Sequence, residues 1–205
     1  MTHSTANRTD RRQNTTDWMS SSKKQQLVES WCGFVEKHVS RGWTPYLLTF
    51  QFREIGGPRQ QVAHEMEKDV ERVFATFLTR VVRNPTSRRS VGKLPIWIAS
   101  PDYPVRKNDK QPVGDFCIND GRHIQGICLM PPKSRLKEPL NEHFEEYATL
   151  YVRAPFPLVL IDAEPITKTS GKATDYTLKA LKSGRATNDE IVVLPRALTE
   201  VSRPS

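Results

Sequence analysis

Two polar side chains, His123 and Gln125, stand two residues apart in a largely apolar segment, residues 122–130 (RHIQGICLM). The apolar residues predict a strand, and the period of two along a strand puts His123 and Gln125 on one face and Ile124 on the other. An imidazole nitrogen beside an amide oxygen can supply two ligands to a divalent cation. This donor pair suits Mg²⁺ or Mn²⁺ better than a metal that prefers thiolates. The alternative is a histidine that is hydrogen-bonded for structural reasons.

A phenol and two ammonium groups recur at intervals of three near the end of the chain. Tyr176, Lys179 and Lys182 share one face of a helix predicted over residues 172–182. Nearby positive charge favours the phenolate and lowers a pKa that ordinarily lies near 10, so the tyrosine becomes a better nucleophile. Attack on a phosphodiester would give a covalent phosphotyrosine. The alternative is a half-buried tyrosine on an amphipathic helix with solvated lysines.

Hydrophobic periodicity predicts the elements that must position these groups. Residues 1–22 form a polar and basic tail, 23–42 a peripheral helix, 43–186 one main domain and 187–205 a C-terminal extension. Within the main domain we expect strands at 45–54, 94–100, 122–130 and 156–162, and helices at 59–83, 140–152 and 172–182. This order predicts an α+β fold, an antiparallel sheet with two long helices on one face, as in ferredoxin-like and RRM-like domains. The other face would be open to a ligand, and the extra C-terminal helix would carry Tyr176.

Composition favours a polyanionic partner. The 205 residues carry 31 Lys and Arg against 23 Asp and Glu, a net charge of +8. Two basic clusters are candidate phosphate contacts, although charge runs are often only solvated surfaces. The predicted contacts are Arg83, Arg88, Arg89, Lys93, Lys172 and Lys182. No long apolar run predicts a membrane span, and three cysteines suit a reducing compartment, so we expect a cytoplasmic protein.

Three short segments, taken in chain order, resemble the motifs of a known superfamily. They are Leu47-Leu48-Thr49-Phe50, His123-Ile124-Gln125-Gly126 and Tyr176-Thr177-Leu178-Lys179. The set is similar to that of the HUH endonucleases, specifically the single-tyrosine replication initiators of rolling-circle elements. Some of those proteins carry glutamine in place of the second histidine of the metal motif. The resemblance spans residues 45 to 185.

The resemblance implies a role for each matching residue. His123 and Gln125 would bind Mg²⁺ or Mn²⁺, Tyr176 would be the nucleophile, and Lys179 would assist near the scissile phosphate or the metal. An acidic third ligand is usual in that group; Asp102 at the end of the second strand is the candidate, with Asp115 and Asp120 as competitors. The substrate would be single-stranded or melted DNA. Since the sequence contains no Gly-x4-Gly-Lys-Ser/Thr motif, unwinding would need a separate helicase.

Two other functions compete with a nuclease. The same sheet and basic loops could bind RNA or DNA without cleavage, as RRM-like domains do. Alternatively, the apolar stripe Leu27, Trp31 and Phe34 could dock a partner protein. Trp43, Trp97 and Tyr103 are candidates for base stacking or for the core. The spacing of Cys117, His123 and Cys128 lacks a Cys-x2-Cys pair, which argues against structural zinc.

Overall fold

The computed structural model describes residues 19–102 and 123–196. Five strands form one antiparallel sheet in the order β4-β1-β3-β2-β5. The strands are β1 Thr44–Phe52, β2 Ile96–Asp102, β3 His123–Met130, β4 Leu158–Pro165 and β5 Val192–Leu194. The helices are α1 Ser21–Val39, α2 Arg59–Val81, α3 Leu140–Glu146, α4 Ala148–Tyr151, α5 Ser170–Thr177 and α6 Lys179–Lys182. The α+β class and the antiparallel sheet are as the sequence predicts.

One face of the sheet packs against α2, α3 and α4. The apolar stripe of α2 is buried there, and Val70, Val73 and Phe77 are all fully covered. Trp97 of β2 lies at the centre of this core in contact with the rings of Phe74 and Phe77, so it is a core residue and not a platform for a base.

The second face is not open, as the sequence analysis expects, because α1, α5 and α6 cover much of it. β2 and β3 bury apolar side chains on both faces, and Ile98, Ile127 and Leu129 belong to the second core. A central strand that is apolar on both sides needs a layer on each side. The helix predicted to be peripheral supplies part of that layer. Its candidate docking stripe of Leu27, Trp31 and Phe34 packs against this core.

The ends of the elements differ from the expectations where local sequence is ambiguous. The helix expected over 140–152 is divided at Tyr147, and the one over 172–182 is divided at Leu178. α1 ends at Val39, and Gly42, with a φ of 84°, turns the chain into β1. β5 pairs with β2, so a strand beyond the expected boundary at residue 186 belongs to the same sheet.

Several expected features lie outside the described residues: Tyr103, Asp115, Cys117, Asp120 and most of the tail 1–22. Within the described ranges, no helix combines the length and the apolar character needed to cross a lipid bilayer.

Candidate functional site

The core of the site is a pair of residues that face each other across two strands. Asp102, the last residue of β2, is the register partner of His123, the first residue of β3. Directly opposed side chains on antiparallel strands lie on the same face. Oδ2 of Asp102 is 3.3 Å from Nε2 of His123. Asp102, the candidate acidic ligand on β2, therefore contacts His123.

Gln125 lies one step further along the same face of β3. Its register partners are Thr49 on β1 and Ser100 on β2. Its Oε1 atom is buried and has no hydrogen-bond partner among the described residues. A buried acceptor left in this state costs about 1–3 kcal/mol, so the atom is able to accept a hydrogen bond or a cation from beyond the described residues.

Lys179 brings the last helix to the same carboxylate. Its Nζ atom is 2.7 Å from Oδ2 of Asp102, the oxygen that also faces His123. Burial acts to raise the pKa of Asp102, but the hydrogen bonds from His123 and Lys179 outweigh it and hold that pKa below its ordinary value. Burial likewise acts to lower the pKa of Lys179, while hydrogen bonds with Asp102 and Tyr176 raise it overall. The carboxylate and the ammonium are both held in their charged forms.

Tyr176 completes the group of residues. Its side chain is 51% exposed, the largest exposure among the bulky apolar and aromatic side chains of the described residues. Nζ of Lys179 lies 4.0 Å from the centre of its ring. A continuous chain of contacts thus runs from the exposed tyrosine through Lys179 and Asp102 to His123. A tyrosine this accessible can meet a macromolecular substrate, whereas one inside the core could not.

Packing of α5 and α6 against the sheet positions Tyr176 and Lys179. Leu178, which separates the two short helices, and Leu181 are fully buried in the second core. The start of α5 is pressed against α1, because a Cβ on Gly171 would come within 2.3 Å of Oε1 of Glu36. Anchoring at both ends leaves Lys179 against Asp102 at the end of β2.

The donor types are those that a hard divalent cation prefers, although the Asp102 carboxylate is paired here with His123 and Lys179. They are one imidazole nitrogen, one carboxylate and the buried amide oxygen of Gln125, which has no partner among the described residues. Adjacent ligands on an octahedron with bonds of about 2.1 Å are about 3 Å apart, close to the separation between His123 and Asp102. The described residues contain no group of three His, Cys, Asp or Glu side chains arranged for a metal, so an ion here would depend on Gln125.

The six residues predicted to contact nucleic acid do not lie together. Lys172 is exposed near the start of α5, and Nζ of Lys182 is 2.7 Å from Oδ1 of Asp175. The other four, Arg83, Arg88, Arg89 and Lys93, lie in the connection between α2 and β2. This connection leads to the start of β2, whereas Asp102 ends it. The structure therefore places four of the six at the far end of the sheet from the site.

The sequence analysis did not select a groove that adjoins the site on the other face of the sheet. Its volume is about 830 Å³, and its lining includes Lys24, Arg59, Arg185, Pro101 and Ile124. Pro101 and Ile124 are the chain neighbours of Asp102 and His123, so the groove lies directly behind the polar pair. Lys24, Arg59 and Arg185 come from three separate segments, so no local sequence pattern relates them. Only the order of the helices and strands could have suggested that they meet.

We compared the chain with protein-family models, with curated proteins and with solved structures, and none of the three comparisons gives a match.

Proposed function

We propose that this protein is a metal-dependent endonuclease and strand transferase that uses a single tyrosine to cut and rejoin single-stranded DNA. The reaction class is that of rolling-circle replication initiation or of mobile-element transfer. The proposal unites the resemblance of three short motifs to the HUH endonucleases with the arrangement of the residues that carry them.

One observation carries the proposal: residues from three distant segments of the chain meet around one carboxylate. Asp102 contacts both His123 and Lys179, and Lys179 contacts the exposed Tyr176. Two of the three motifs and Asp102 come from separate parts of the sequence, and nothing in their local patterns requires them to meet. A phosphotransfer site, by contrast, needs its nucleophile next to its electrostatic partners.

The sheet topology supports the same family. The order β1, α2, β2, β3, α3 with α4, and β4 gives the spatial order β4-β1-β3-β2. We assign this unit to the ferredoxin-like and RRM-like group, with β5 as an addition beside β2. In such a unit the two central strands are β1 and β3, and here the three motifs lie on them or pack over the neighbouring β2.

The proposed chemistry is a transesterification. The Tyr176 oxygen attacks phosphorus and forms a new P–O bond, while the bond from phosphorus to the 3′-oxygen breaks. The tyrosine proton passes to solvent, and the leaving 3′-oxygen takes up a proton to become a hydroxyl. The products are a 5′-phosphotyrosine and a free 3′-hydroxyl. Attack by a 3′-hydroxyl on the phosphotyrosine reverses the step, so strands are rejoined without ATP.

Each residue around the phosphate would have a separate role in the reaction. The ammonium of Lys179, fixed by Asp102, lies against the Tyr176 ring and stabilises negative charge on the attacking oxygen and the phosphate. His123, Gln125 and Asp102 would hold Mg²⁺ or Mn²⁺. That ion supplies Lewis-acid polarisation of a non-bridging oxygen when bound.

Partners and compartment follow from the same proposal. The substrate is single-stranded or melted DNA at an origin or at the end of an element, and a separate helicase supplies unwinding. We place the reaction in the cytoplasm, where the free thiols of Cys32 and Cys128 would stay reduced.

Formation of a covalent adduct tests the proposal. Purified protein is incubated with a randomised pool of single-stranded oligonucleotides and Mn²⁺, and adducts are resolved on denaturing gels. We expect adducts with the wild type and none with Tyr176→Phe. Tyr147→Phe is the matched control, because Tyr147 lies half-buried on the opposite face of the sheet. Absence of adducts in the wild type, or equal adducts with Tyr176→Phe, would refute the nuclease.

A binding module without catalysis is the second candidate, and one contact favours it. The ion pair between Lys179 and Asp102 neutralises the carboxylate without any metal. A pure binder would retain nucleic-acid affinity in EDTA and be indifferent to His123→Ala. The enzyme would lose adduct formation in that variant but keep salt-sensitive binding.

A further inference from the structure

A second charged surface lies at the end of the molecule away from Tyr176. It is made of two loops, residues 82–95 between α2 and β2 and residues 131–139 between β3 and α3. We call it the basic end. Its cations are Arg83, Arg88, Arg89 and Lys93 in the first loop and Lys133, Arg135 and Lys137 in the second. All seven side chains are exposed.

The two loops form one surface because the second rests on the end of α2, where the first begins. The backbone N–H of Arg135 donates to the carbonyl of Val81 at 2.9 Å. The first loop has its own internal order: a single 3₁₀ turn spans Arg88–Ser90, and Oγ of Ser90 donates to the carbonyl of Asn84 at 2.6 Å. The cations therefore project from a defined framework.

Among the described residues, these charges lack carboxylate partners. None of the seven takes part in an ion pair within 4.0 Å among residues 19–102 and 123–196. The first loop contains no acidic residue, and Glu138, the one acid of the second, is hydrogen-bonded to the buried His143 at 2.7 Å. Some cations elsewhere are paired with carboxylates: Lys68 faces Glu65, and Arg196 faces Glu67 and Glu71.

The helix dipole does not account for such a concentration. Cations stabilise a helix within its last turn, which includes at most the first member of the basic end, Arg83. Arg88, Lys93 and Lys133 lie well beyond the end of α2 at Val81. Their mutual repulsion is a cost to the folded state, and it is relieved when a polyanion binds.

The length of β3 gives the distance between the basic end and the proposed cleavage site. β3 runs from His123 at the site to Met130, just before the second loop, and its eight residues span about 23 Å. That length corresponds to about seven base steps of B-form DNA at 3.4 Å each. Phosphates next to the scissile bond cannot reach the basic end, but phosphates about seven steps away can.

We infer that the basic end binds the phosphate backbones of duplex DNA next to the strand that is cut at the site. This deepens the proposed function and rests on it for the continuity of the cut strand with a duplex. A single strand fits this surface less well, because sites that bind single strands stack the bases on exposed aromatic side chains. The exposed aromatic side chains of the described residues are Phe156 and Tyr176, and neither lies in these loops.

Equilibrium binding in EDTA tests the inference separately from cleavage. The probes are a 20-base-pair DNA duplex, an RNA duplex of the same sequence and a 10-nucleotide single strand, measured by fluorescence anisotropy from 50 to 200 mM salt. The test variant is Arg88→Ser with Lys93→Ser. The control, Lys68→Ser with Arg196→Ser, removes the same charge from cations that are paired in the structure. Thermal unfolding verifies that each variant is folded.

Loss of two phosphate contacts should reduce the slope of log K against log salt by about 2. Between 50 and 200 mM salt, the wild type should then lose about tenfold more duplex affinity than the test variant. The control should follow the wild type. Equal slopes for test variant and wild type would overturn the inference, as would tighter binding of the RNA duplex than of the DNA duplex.

A reduction of the salt slope that is as large for the 10-nucleotide strand as for the duplex would also overturn the inference. Because these measurements need neither metal nor Tyr176, a failed adduct assay would remove the proposed function and leave this result standing. Normal adducts, together with a salt slope that the test variant leaves unchanged, would remove this inference and leave the proposed function standing.

Discussion

Replacing Gln125 by Met should make the metal-free protein more stable and the site less able to hold a metal. Met has nearly the shape of Gln but lacks the amide, so the substitution removes the buried Oε1 atom that has no partner among the described residues. Such an atom costs about 1–3 kcal/mol, and any bond lost from the amide nitrogen offsets about 1 kcal/mol of that. We expect a net gain of up to about 2 kcal/mol, or up to about 8 °C in Tm for a chain of this size.

Metal should reverse the order of the two proteins. At a Mn²⁺ concentration of about 100 times its Kd, binding stabilises the wild type by about 2.7 kcal/mol, or about 5–11 °C. If the loss of one ligand weakens binding about 100-fold, the same concentration stabilises Gln125→Met by less than about 1 kcal/mol. The variant should therefore unfold at the higher temperature in EDTA and at the lower temperature in Mn²⁺.

Thermal unfolding followed by circular dichroism, in EDTA and across a Mn²⁺ titration, measures both effects. Gln51→Met is the matched control: Gln51 is the β1 register partner of His123 on the same face, but it is not in the proposed donor set. The control should show the wild-type shift in Mn²⁺. The reasoning fails if Gln125→Met is less stable than the wild type in EDTA, or if its Mn²⁺ shift equals that of the wild type.

Three further substitutions test packing and electrostatics in other parts of the fold. Gly126→Ala should lower the free energy of unfolding by about 1–3 kcal/mol in urea, because its Cβ would lie 3.1 Å from Cβ of Ala99 and close to backbone. Gly33→Ala in α1 should instead raise it by about 0.5–1 kcal/mol, since nothing lies within 4 Å of the new Cβ. Glu138→Gln should flatten the loss of stability in acid. The hydrogen bond from His143 lowers the pKa of Glu138, so its contribution is present above the ordinary value near 4.3 and disappears as pH falls through the lower folded value.

Each of these has an outcome that would contradict it. Equal stability of Gly126→Ala and the wild type would mean that β2 and β3 separate at no cost. A loss of stability in Gly33→Ala would mean that α1 packs more closely at that position than the structure shows. If Glu138→Gln and the wild type lose the same stability as the pH falls, the pair between Glu138 and His143 contributes nothing to stability.

Local pattern was sufficient to place the candidate site residues on their strands and helices. Alternation along 122–130 put His123 and Gln125 on one face of a strand, and the helical repeat of α2 identified its buried stripe. These are properties of a few neighbouring residues and of a fixed backbone period, which is why the sequence carries them.

Tertiary structure decided what those residues meet. Asp102 faces His123 only because β2 and β3 pair in one register, and a shift of one residue would turn it to the other face. Lys179 reaches the same carboxylate because buried Leu178 and Leu181 hold the last helices on the sheet. The basic loops could be read from the sequence, but their separation from Tyr176 follows from the direction of β3. Such facts depend on contacts between residues far apart in the chain, for which no local periodicity exists.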